Sequence, residues 1–187
     1  MSGIISDTGV VKLKVNPGTS DKHSESFIHR RYAADMYRFI SLIPILPHHH
    51  VADIGCQSGY FTVPLAKSVF DGKIYAFDVK QEMLDATGQA LDLLKLTNVD
   101  RVFFDGKKIP LEDGSLDGAV LAFGLHGVDS ARKILKETMR CLKKSGWLAV
   151  IEWYKREMDE GPPMRSRMDE DKLLGIVDKL GFRLNAK

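Results

Sequence analysis

The sequence predicts an α/β protein in which a mostly parallel sheet lies between two layers of helices. From about residue 50 onward, five short apolar stretches alternate with helical patterns. This alternation favours parallel strands joined by right-handed crossovers. The chain has 187 residues, of which 44% are hydrophobic and 28% are charged, and this composition is typical of one globular domain.

The predicted strands have the apolar character of strands that are covered on both faces. The stretch 118–123 holds almost no polar residue, as expected where helices pack on both sides of a sheet. Turn sequences at 71–72 and 112–115 separate strands from the elements before them. The five predicted strands span residues 51–54, 73–78, 101–105, 118–123 and 147–151.

The helices are predicted from apolar residues that recur every three or four positions. Pro64 falls inside the second predicted helix, 58–69, where we expect a local distortion or an early 3₁₀ turn. Asp129 and Asp169 are suitable N-cap residues for the last two helices, and Gly181 is a suitable left-handed terminator. The other predicted helices span residues 27–43 and 81–94.

Residues 1–24 are expected to form a flexible arm in front of a domain that spans residues 25–187. The arm is rich in Ser, Gly, Asp and Lys. Val11, Leu13 and Val15 nevertheless alternate with lysines, which is a strand pattern. The arm could therefore also add an edge strand to the sheet.

Composition and charge exclude several classes of protein. The formal net charge of +2 is too small to indicate nucleic acid or an anionic membrane as the main partner. No apolar run approaches the roughly 18 residues that span a bilayer, and the N-terminus lacks a secretory signal pattern. Cys56 and Cys141 have neither the number nor the spacing of a disulfide or metal framework. We therefore expect a cytoplasmic protein that binds no metal.

Acidic residues end three successive predicted strands, at the edge where open α/β sheets bind their ligands. Asp53 lies near the end of the first strand. Asp78 can accept two hydrogen bonds from the hydroxyls of a ribose, and Asp105, followed by Gly106, can accept one from an adenine amine. A single acid at a strand end is commonly a turn cap, but three together predict a nucleoside ligand.

The turn after the first predicted strand is rich in glycine but does not have the spacing of a dinucleotide site. Gly55 and Gly59 bracket the turn, where glycine permits positive φ and close approach of a ligand. A phosphate-binding fingerprint would place glycines at the positions that hold Gln57 and Tyr60. The charge of Asp53 beside this turn suits an ammonium group better than a phosphate.

Three segments of the chain resemble class I S-adenosylmethionine (SAM) methyltransferases. Residues 51–61, VADIGCQSGYF, resemble motif I of that family. Residues 109–117, IPLEDGSLD, and 142–148, LKKSGWL, are similar to its segments before the fourth and fifth strands. The resemblance covers roughly residues 27–182 and is greatest to small-molecule methyltransferases that include the ubiquinone and menaquinone biosynthesis type. It implies a Rossmann-like three-layer sandwich.

The resemblance also implies which residues bind SAM and its product, S-adenosylhomocysteine. The residues expected to contact the cofactor lie in the glycine turn, at the strand ends and at the start of one helix. By the resemblance, the methionine end is held by Asp53, Gly55 and Gly59 in a turn that includes Cys56, Gln57 and Ser58; the ribose is held by Asp78; the adenine contacts Val79, Met83, Asp105 and Gly106; Ala122 and Phe123 line the floor; and Tyr60, with residues 27–31, closes over the cofactor.

The sequence departs from the family in the turn and at the C-terminus. Gln57 stands where the family usually has glycine, and Ser58 where it often has threonine. Little of the chain follows Gly181, so we expect the C-terminal strands of the fold to be shortened or missing. This predicts an exposed sheet edge, which proteins usually cover or pair. A homodimer, the strand pattern of residues 11–15 or a truncated chain could each account for it.

The predicted function is transfer of a methyl group from SAM to an unidentified small-molecule acceptor by in-line displacement. The alternatives are a SAM-binding protein without turnover and, less consistent with the glycine turn, an NAD-dependent dehydrogenase. His126 is the candidate general base, with His29 as a second, and a base is required only if the acceptor arrives protonated. Acceptor specificity is expected from the first helix and from residues 152–167, whose arginines are expected to be solvated.

Overall fold

A sheet of seven parallel strands forms the centre of the computed structural model, which describes residues 9–14, 36, 38–125, 131–157 and 162–186. The strands are β1 (Gly9–Lys14), β2 (His50–Ile54), β3 (Lys73–Asp78), β4 (Val99–Phe103), β5 (Leu116–Ala122), β6 (Leu142–Glu152) and β7 (Arg183–Ala186). Residues 36 and 38–40 are helical. The helices whose bounds lie in the described residues are α1 (Thr62–Ser68), α2 (Gln81–Leu93), α3 (Ala131–Cys141) and α4 (Glu170–Lys179), with a 3₁₀ turn at Met164–Ser166.

The strand order in the sheet is β4-β3-β2-β5-β6-β1-β7. The order reverses direction between β2 and β5, which is the switch point where open α/β sheets bind their ligands. The α/β class and the parallel sheet predicted from the alternating pattern are thereby confirmed.

Two apolar clusters cover the two faces of the sheet, which confirms the three-layer arrangement. Successive strand residues point to opposite faces, so Ala119 packs in one cluster and Val120 in the other. The first cluster contains residues of α3 and α4, and the second contains residues of α1 together with Phe39. The side chains of Ala119 and Val120 are fully buried.

Helix α1 differs from the sequence-based expectation at its start. It begins at Thr62, and residues 58–61 form turns. Pro64 is therefore in the first turn of the helix, where a backbone N–H has no intrahelical partner to lose. The distortion expected inside a longer helix 58–69 is replaced by a later helix start.

The predicted boundaries of α4 are confirmed. Asp169 accepts a hydrogen bond from the backbone N–H of Lys172 at 3.3 Å. At the other end Gly181 has φ of 88°, and Phe182 N donates to Val177 O at 3.1 Å. This 6→1 bond is the Schellman arrangement. The other predicted cap, Asp129, lies outside the described residues.

Strand β1 lies inside the sheet, between β6 and β7, although residues 1–24 were expected to form a flexible arm. Val10 pairs with Leu148 of β6 and with Leu184 of β7, both in parallel. The edge of β6 that the sequence predicted to be exposed is therefore covered by this chain's own N-terminal segment. β7, of four residues, is the shortened C-terminal strand. The rest of the arm lies outside the described residues, and the boundary at residue 25 stays a prediction.

In the described ranges, none of the helices combines the length and the apolar character needed to cross a membrane.

Substitution Val11→Pro should destabilise the protein, because Val11 pairs on both sides within the sheet and proline removes a ladder hydrogen bond. We expect a loss on the order of 2 kcal/mol in the free energy of unfolding, measured by urea denaturation. Amide hydrogen exchange in β7 should accelerate. Val11→Thr, which keeps the N–H and the branched side chain, is the control. Equal exchange in the two variants would show that β1 does not hold β7.

Substitution Gly118→Ala should also destabilise the protein, because a Cβ at Gly118 would overlap the indole of the buried Trp147. Overpacking of this kind costs about 1–3 kcal/mol. The matched control is Gly175→Ala in α4, where a Cβ would meet nothing within 4 Å and should stabilise the helix by about 0.5–1 kcal/mol. Thermal unfolding of both variants would reveal shifts of opposite sign; shifts of the same sign would contradict this packing.

Candidate cofactor site

The three predicted acids lie along one edge of the sheet. Asp53 is in β2, Asp78 ends β3, and Asp105 follows β4 by two residues. These strands are neighbours in the order β4-β3-β2, and all three run in the same direction. The prediction that the acids meet at the carboxyl ends of adjacent strands therefore agrees with the strand order.

Asp53 is a buried carboxylate with an incomplete set of hydrogen bonds. Its side chain is 0% exposed, and its Oδ2 accepts a hydrogen bond of 2.6 Å from Thr62 Oγ1. Its Oδ1 is buried without a hydrogen-bond partner among the described residues. Burial raises the pKa of Asp53 to about 7; the bond from Thr62 opposes the rise and the charge of Asp78 adds to it.

The backbone of the turn after β2 borders on open space at Gly55. Gly55 has φ of 78°, and a Cβ there would meet nothing within 4 Å. The backbone N–H groups of Gly55 and Cys56 both donate to Phe77 O, at 2.8 and 2.9 Å. Gly59 has φ of 86°, and a Cβ there would lie 3.2 Å from Thr87 Cγ2. Glycine is therefore favoured at Gly59 by both the positive φ and the close approach of Thr87.

Gln57 has φ of 50°, in the left-handed region that favours glycine. Two hydrogen bonds hold it there: Gln57 N donates to Asp78 Oδ2 at 2.9 Å, and Thr87 Oγ1 donates to Gln57 O at 2.8 Å. The side chain of Gln57 is exposed, as is that of Ser58. The backbone conformation gives a physical reason why glycine would suit this position, and these bonds offset the strain of about 1–2 kcal/mol.

Asp78 is 5% exposed and has a structural role in addition to the predicted ribose contact. One oxygen accepts from Gln57 N and the other from Lys80 N at 3.0 Å. Each carboxylate oxygen has two lone pairs, so each can accept a further hydrogen bond. Asp78 thus connects the end of β3 to the glycine turn and retains acceptor capacity for a pair of hydroxyls.

Asp105 caps its own turn, because it accepts a hydrogen bond of 2.9 Å from Lys107 N. This bond lowers the pKa of the exposed Asp105 carboxyl. Gly106 has φ of 77°, and a Cβ there would lie 3.7 Å from Val79 Cγ1. Val79 is 47% exposed, and Met83, in the first turn of α2, is half-buried. Val79 and Gly106 therefore lie side by side, as the predicted adenine site requires.

Aromatic rings lie at the ends of the next two strands. Ala122 is buried at the end of β5, and Phe123 follows with φ of 54° and donates from its N to Ile151 O at 2.8 Å. The ring of Phe123 lies 5.3 Å from that of Trp153 and 6.3 Å from that of Phe61, between ring centroids. Sequence reasoning did not single out Trp153, which directly follows the last residue of β6, Glu152.

Sequence reasoning also missed three buried polar residues that hold the site together. Thr62 and Thr87 are 0% exposed and bond to Asp53 and Gln57. Glu152, 6% exposed, accepts from Leu125 N at 2.7 Å. Of these three residues, only Glu152 has a signal in the sequence. It is an acid directly after the apolar run 147–151, and the same pattern identified Asp78.

The remaining predicted residues have different outcomes. Cys56 is 3% exposed, and burial raises the pKa of its thiol to about 12, so the thiol stays neutral and packs against Thr87. His126 lies outside the described residues, as do residues 27–31. Their predicted roles as a base and as a cover over the cofactor stay predictions. Tyr60 is half-buried, and its ring lies 5.2 Å from that of Phe61.

Arg167 corrects the expectation that the arginines of residues 152–167 are solvated. It is 5% exposed, and its guanidinium donates to the carbonyls of Tyr154, Arg156 and Pro162 at 2.7–3.0 Å. The buried guanidinium therefore stabilises the loop by bonding three of its backbone carbonyls. Arg156 is exposed and lies over the ring of Tyr154 at 4.8 Å.

The chemistry of these residues fits SAM. The buried Oδ1 of Asp53 calls for a donor, which an ammonium group supplies. Asp78 retains acceptor capacity for a diol, and the space beside Gly55 and Gly106 admits a ligand close to the backbone. The glycine spacing of this turn does not match that of a dinucleotide-binding site. The carboxylates of Asp53 and Asp78 beside it are unsuited to a phosphate.

Comparisons with known proteins identify the family. The family profile described as "Methyltransferase domain" matches residues 52–150. A solved SAM-dependent methyltransferase from Aquifex aeolicus is 32% identical, with a TM-score of 0.75 over 80% of each chain. The chain therefore belongs to the class I SAM-dependent methyltransferases.

Two further matches are more distant. Demethylmenaquinone methyltransferase of Bacillus mycoides (strain KBAB4) is 28% identical over 66% of this chain and 52% of its own, so the chain spans about half the length of such curated relatives. Phosphoethanolamine N-methyltransferase 1 of Haemonchus contortus, solved with phosphoethanolamine and S-adenosylhomocysteine, shares the fold at 20% identity, with a TM-score of 0.59 over 74% of this chain and 29% of that one.

Substitution Asp53→Asn should stabilise the ligand-free protein at alkaline pH. Because the folded pKa of about 7 exceeds the unfolded one, the folded state holds the proton more tightly, and stability falls as pH rises from about 4 to 7. Asparagine removes this dependence. Between pH 5 and pH 8 we expect wild type to lose on the order of 2 kcal/mol relative to the variant.

The measurement is urea denaturation of both proteins at several pH values, with Asp100→Asn as the control because Asp100 is exposed on β4. A difference between wild type and Asp53→Asn that does not change with pH would contradict a strongly raised pKa.

Proposed function

We propose that this protein transfers a methyl group from SAM to a small-molecule acceptor. The observation that carries the proposal is the buried, unpartnered oxygen of Asp53 beside a glycine turn that is bonded to Asp78 of the neighbouring strand. A buried acceptor without a partner costs about 1–3 kcal/mol. A cationic donor such as an ammonium group removes that cost, which gives the site a reason to bind it.

In this proposal the residues along the sheet edge bind successive parts of the cofactor. Asp53, Gly55 and Gly59 hold the amino-acid end, and Asp78 holds the ribose. The adenine packs on Val79 and Met83 and reaches Asp105 and Gly106. The positions support these roles because β2, β3 and β4 are consecutive neighbours in the sheet.

The chain's own contribution to the chemistry is positioning. SAM, when bound, supplies an electrophilic methyl group together with its leaving group. The buried Asp53 fixes one end of the ligand, and Asp78 fixes the middle, so that the reacting end is held in one orientation. Orientation of this kind supplies effective molarities on the order of 10⁵–10⁸ M. His126 remains our candidate for accepting a proton from the acceptor.

The acceptor is proposed to be a small molecule because the curated relatives are named for one, demethylmenaquinone. None of the observations on the described residues favours binding without turnover, and methyl transfer from labelled SAM would distinguish the two functions. We also propose a cytoplasmic location, supported by two free buried thiols. A homodimer formed through a sheet edge would use β4 or β7, the edges of the described sheet.

Substitution Asp78→Ala should abolish tight binding of S-adenosylhomocysteine. It removes the predicted ribose acceptors and the bond to Gln57 N, and hydrogen bonds to charged groups contribute about 1.5–3 kcal/mol each. We expect affinity, measured by titration calorimetry, to fall on the order of 100-fold. Asp100→Ala, on the exposed edge strand, should change it less than about 2-fold.

Two results would contradict the proposed function. One is unchanged affinity in Asp78→Ala when circular dichroism and urea denaturation show that the variant is folded. The other is binding of NAD to the wild type more tightly than binding of SAM, which would favour the dehydrogenase alternative.

A further inference from the structure

A row of aromatic rings crosses the sheet edge on the side away from the nucleoside-binding acids. Tyr60 and Phe61 follow the turn after β2, Phe123 follows β5 and Trp153 follows β6. Successive ring centroids lie 5.2, 6.3 and 5.3 Å apart. Phe61 is 8% exposed, and the other three rings are half-buried. The row therefore keeps part of its apolar surface accessible.

The position of this row follows from the strand order. Asp105 and Asp78 belong to β4 and β3, on one side of β2, whereas Phe123 and Trp153 belong to β5 and β6, on the other side. A cofactor whose nucleoside lies over β3 and β4, and whose methionine end lies over the predicted floor residues Ala122 and Phe123, leaves the end of β6 to a second molecule. A Cβ at Gly124 would lie 3.8 Å from Ile54 O, so the residues after β5 adjoin the turn after β2.

Two buried charged side chains contact Trp153, one at its backbone N–H and the other beside its ring. Its N donates to Glu152 Oε2 at 3.3 Å, while Glu152 Oε1 accepts from Leu125 N after β5. The guanidinium of the buried Arg167 lies 5.9 Å from the centre of the Trp153 ring. A buried carboxylate thus holds the backbone of Trp153, and a buried guanidinium lies beside its partly exposed indole. Restraint of this kind reduces the entropy lost when a ligand packs on the ring.

We propose that Trp153 determines acceptor specificity by stacking against a flat aromatic acceptor. Aromatic rings pack best in offset or tilted pairs, as Trp153 and Phe123 already do at 39°. The inference rests on the proposed function, because it assigns Trp153, at the end of the row beyond the predicted cofactor residues Tyr60 and Phe123, to the methyl acceptor.

The test uses 2-naphthol, a flat two-ring phenol, as the probe and indole N–H signals as the readout. The chain has two tryptophans, so the ¹⁵N-labelled protein gives two indole signals, which Trp147→Phe assigns. With S-adenosylhomocysteine present, titration of 2-naphthol should shift the Trp153 signal and leave the Trp147 signal in place. Decahydro-2-naphthol, the saturated analogue, should bind about 10-fold more weakly because it cannot stack.

Variants separate stacking from general stability. Trp153→Ala should weaken 2-naphthol binding about 10-fold, while Trp153→Phe should stay within about 3-fold of wild type because it keeps a ring. Leu93→Ala, exposed at the end of α2, should have no effect. Affinity for S-adenosylhomocysteine should be unchanged in all three.

Each failure has a distinct meaning. Loss of S-adenosylhomocysteine binding by the wild type would overturn the proposed function. Normal S-adenosylhomocysteine binding with no 2-naphthol binding, with equal binding by Trp153→Ala, or with equal binding of the saturated analogue would overturn the role of Trp153 alone.

Discussion

The buried carboxylate of Asp53 is the constraint on which the rest of the site depends. A charge in the centre of a parallel sheet loses its hydration, and the single bond from Thr62 compensates only part of that loss. The fold therefore keeps a polar atom that raises the energy of the ligand-free protein. Such an atom persists where it is used, and here it lies between the glycine turn and Asp78. Stability and ligand binding make opposite demands on this position.

Much of the fold could be predicted because its signals are local. Buried strands produced apolar runs, and the cap at Asp169 and the terminator at Gly181 act within a few residues of themselves. The place of strand β1 inside the sheet was not predicted, because its paired residues in β6 and β7 lie more than 130 positions away in the sequence, as the pair Val10 and Leu148 illustrates. A short alternating pattern indicates a strand but contains no information about which distant strand it joins.

The site was predicted to a similar extent and for a similar reason. Asp78 was identifiable because its position at the end of an apolar run is a property of the sequence. Thr87 was not, because its bond to Gln57 O joins residues 30 positions apart through the packing of α2 on the turn. Arg167 was misjudged because loop arginines are commonly solvated, whereas here the three carbonyls that it binds belong to the loop itself.

The distribution of charge along the sheet edge explains how one surface can hold two different molecules. Carboxylates occupy the ends of β2 and β3, where they suit a cationic ligand rich in hydroxyl donors. Rings occupy the ends of β5 and β6, where they suit an apolar partner. Glu152 accepts hydrogen bonds from the backbone N–H of Leu125, after β5, and from that of Trp153, after β6. Displacement of the ring of Phe123 or of Trp153 would therefore disturb the support of the other. Because methyl transfer depends on the relative position of two ligands, a rigid connection between their supports matters more than the affinity of either site.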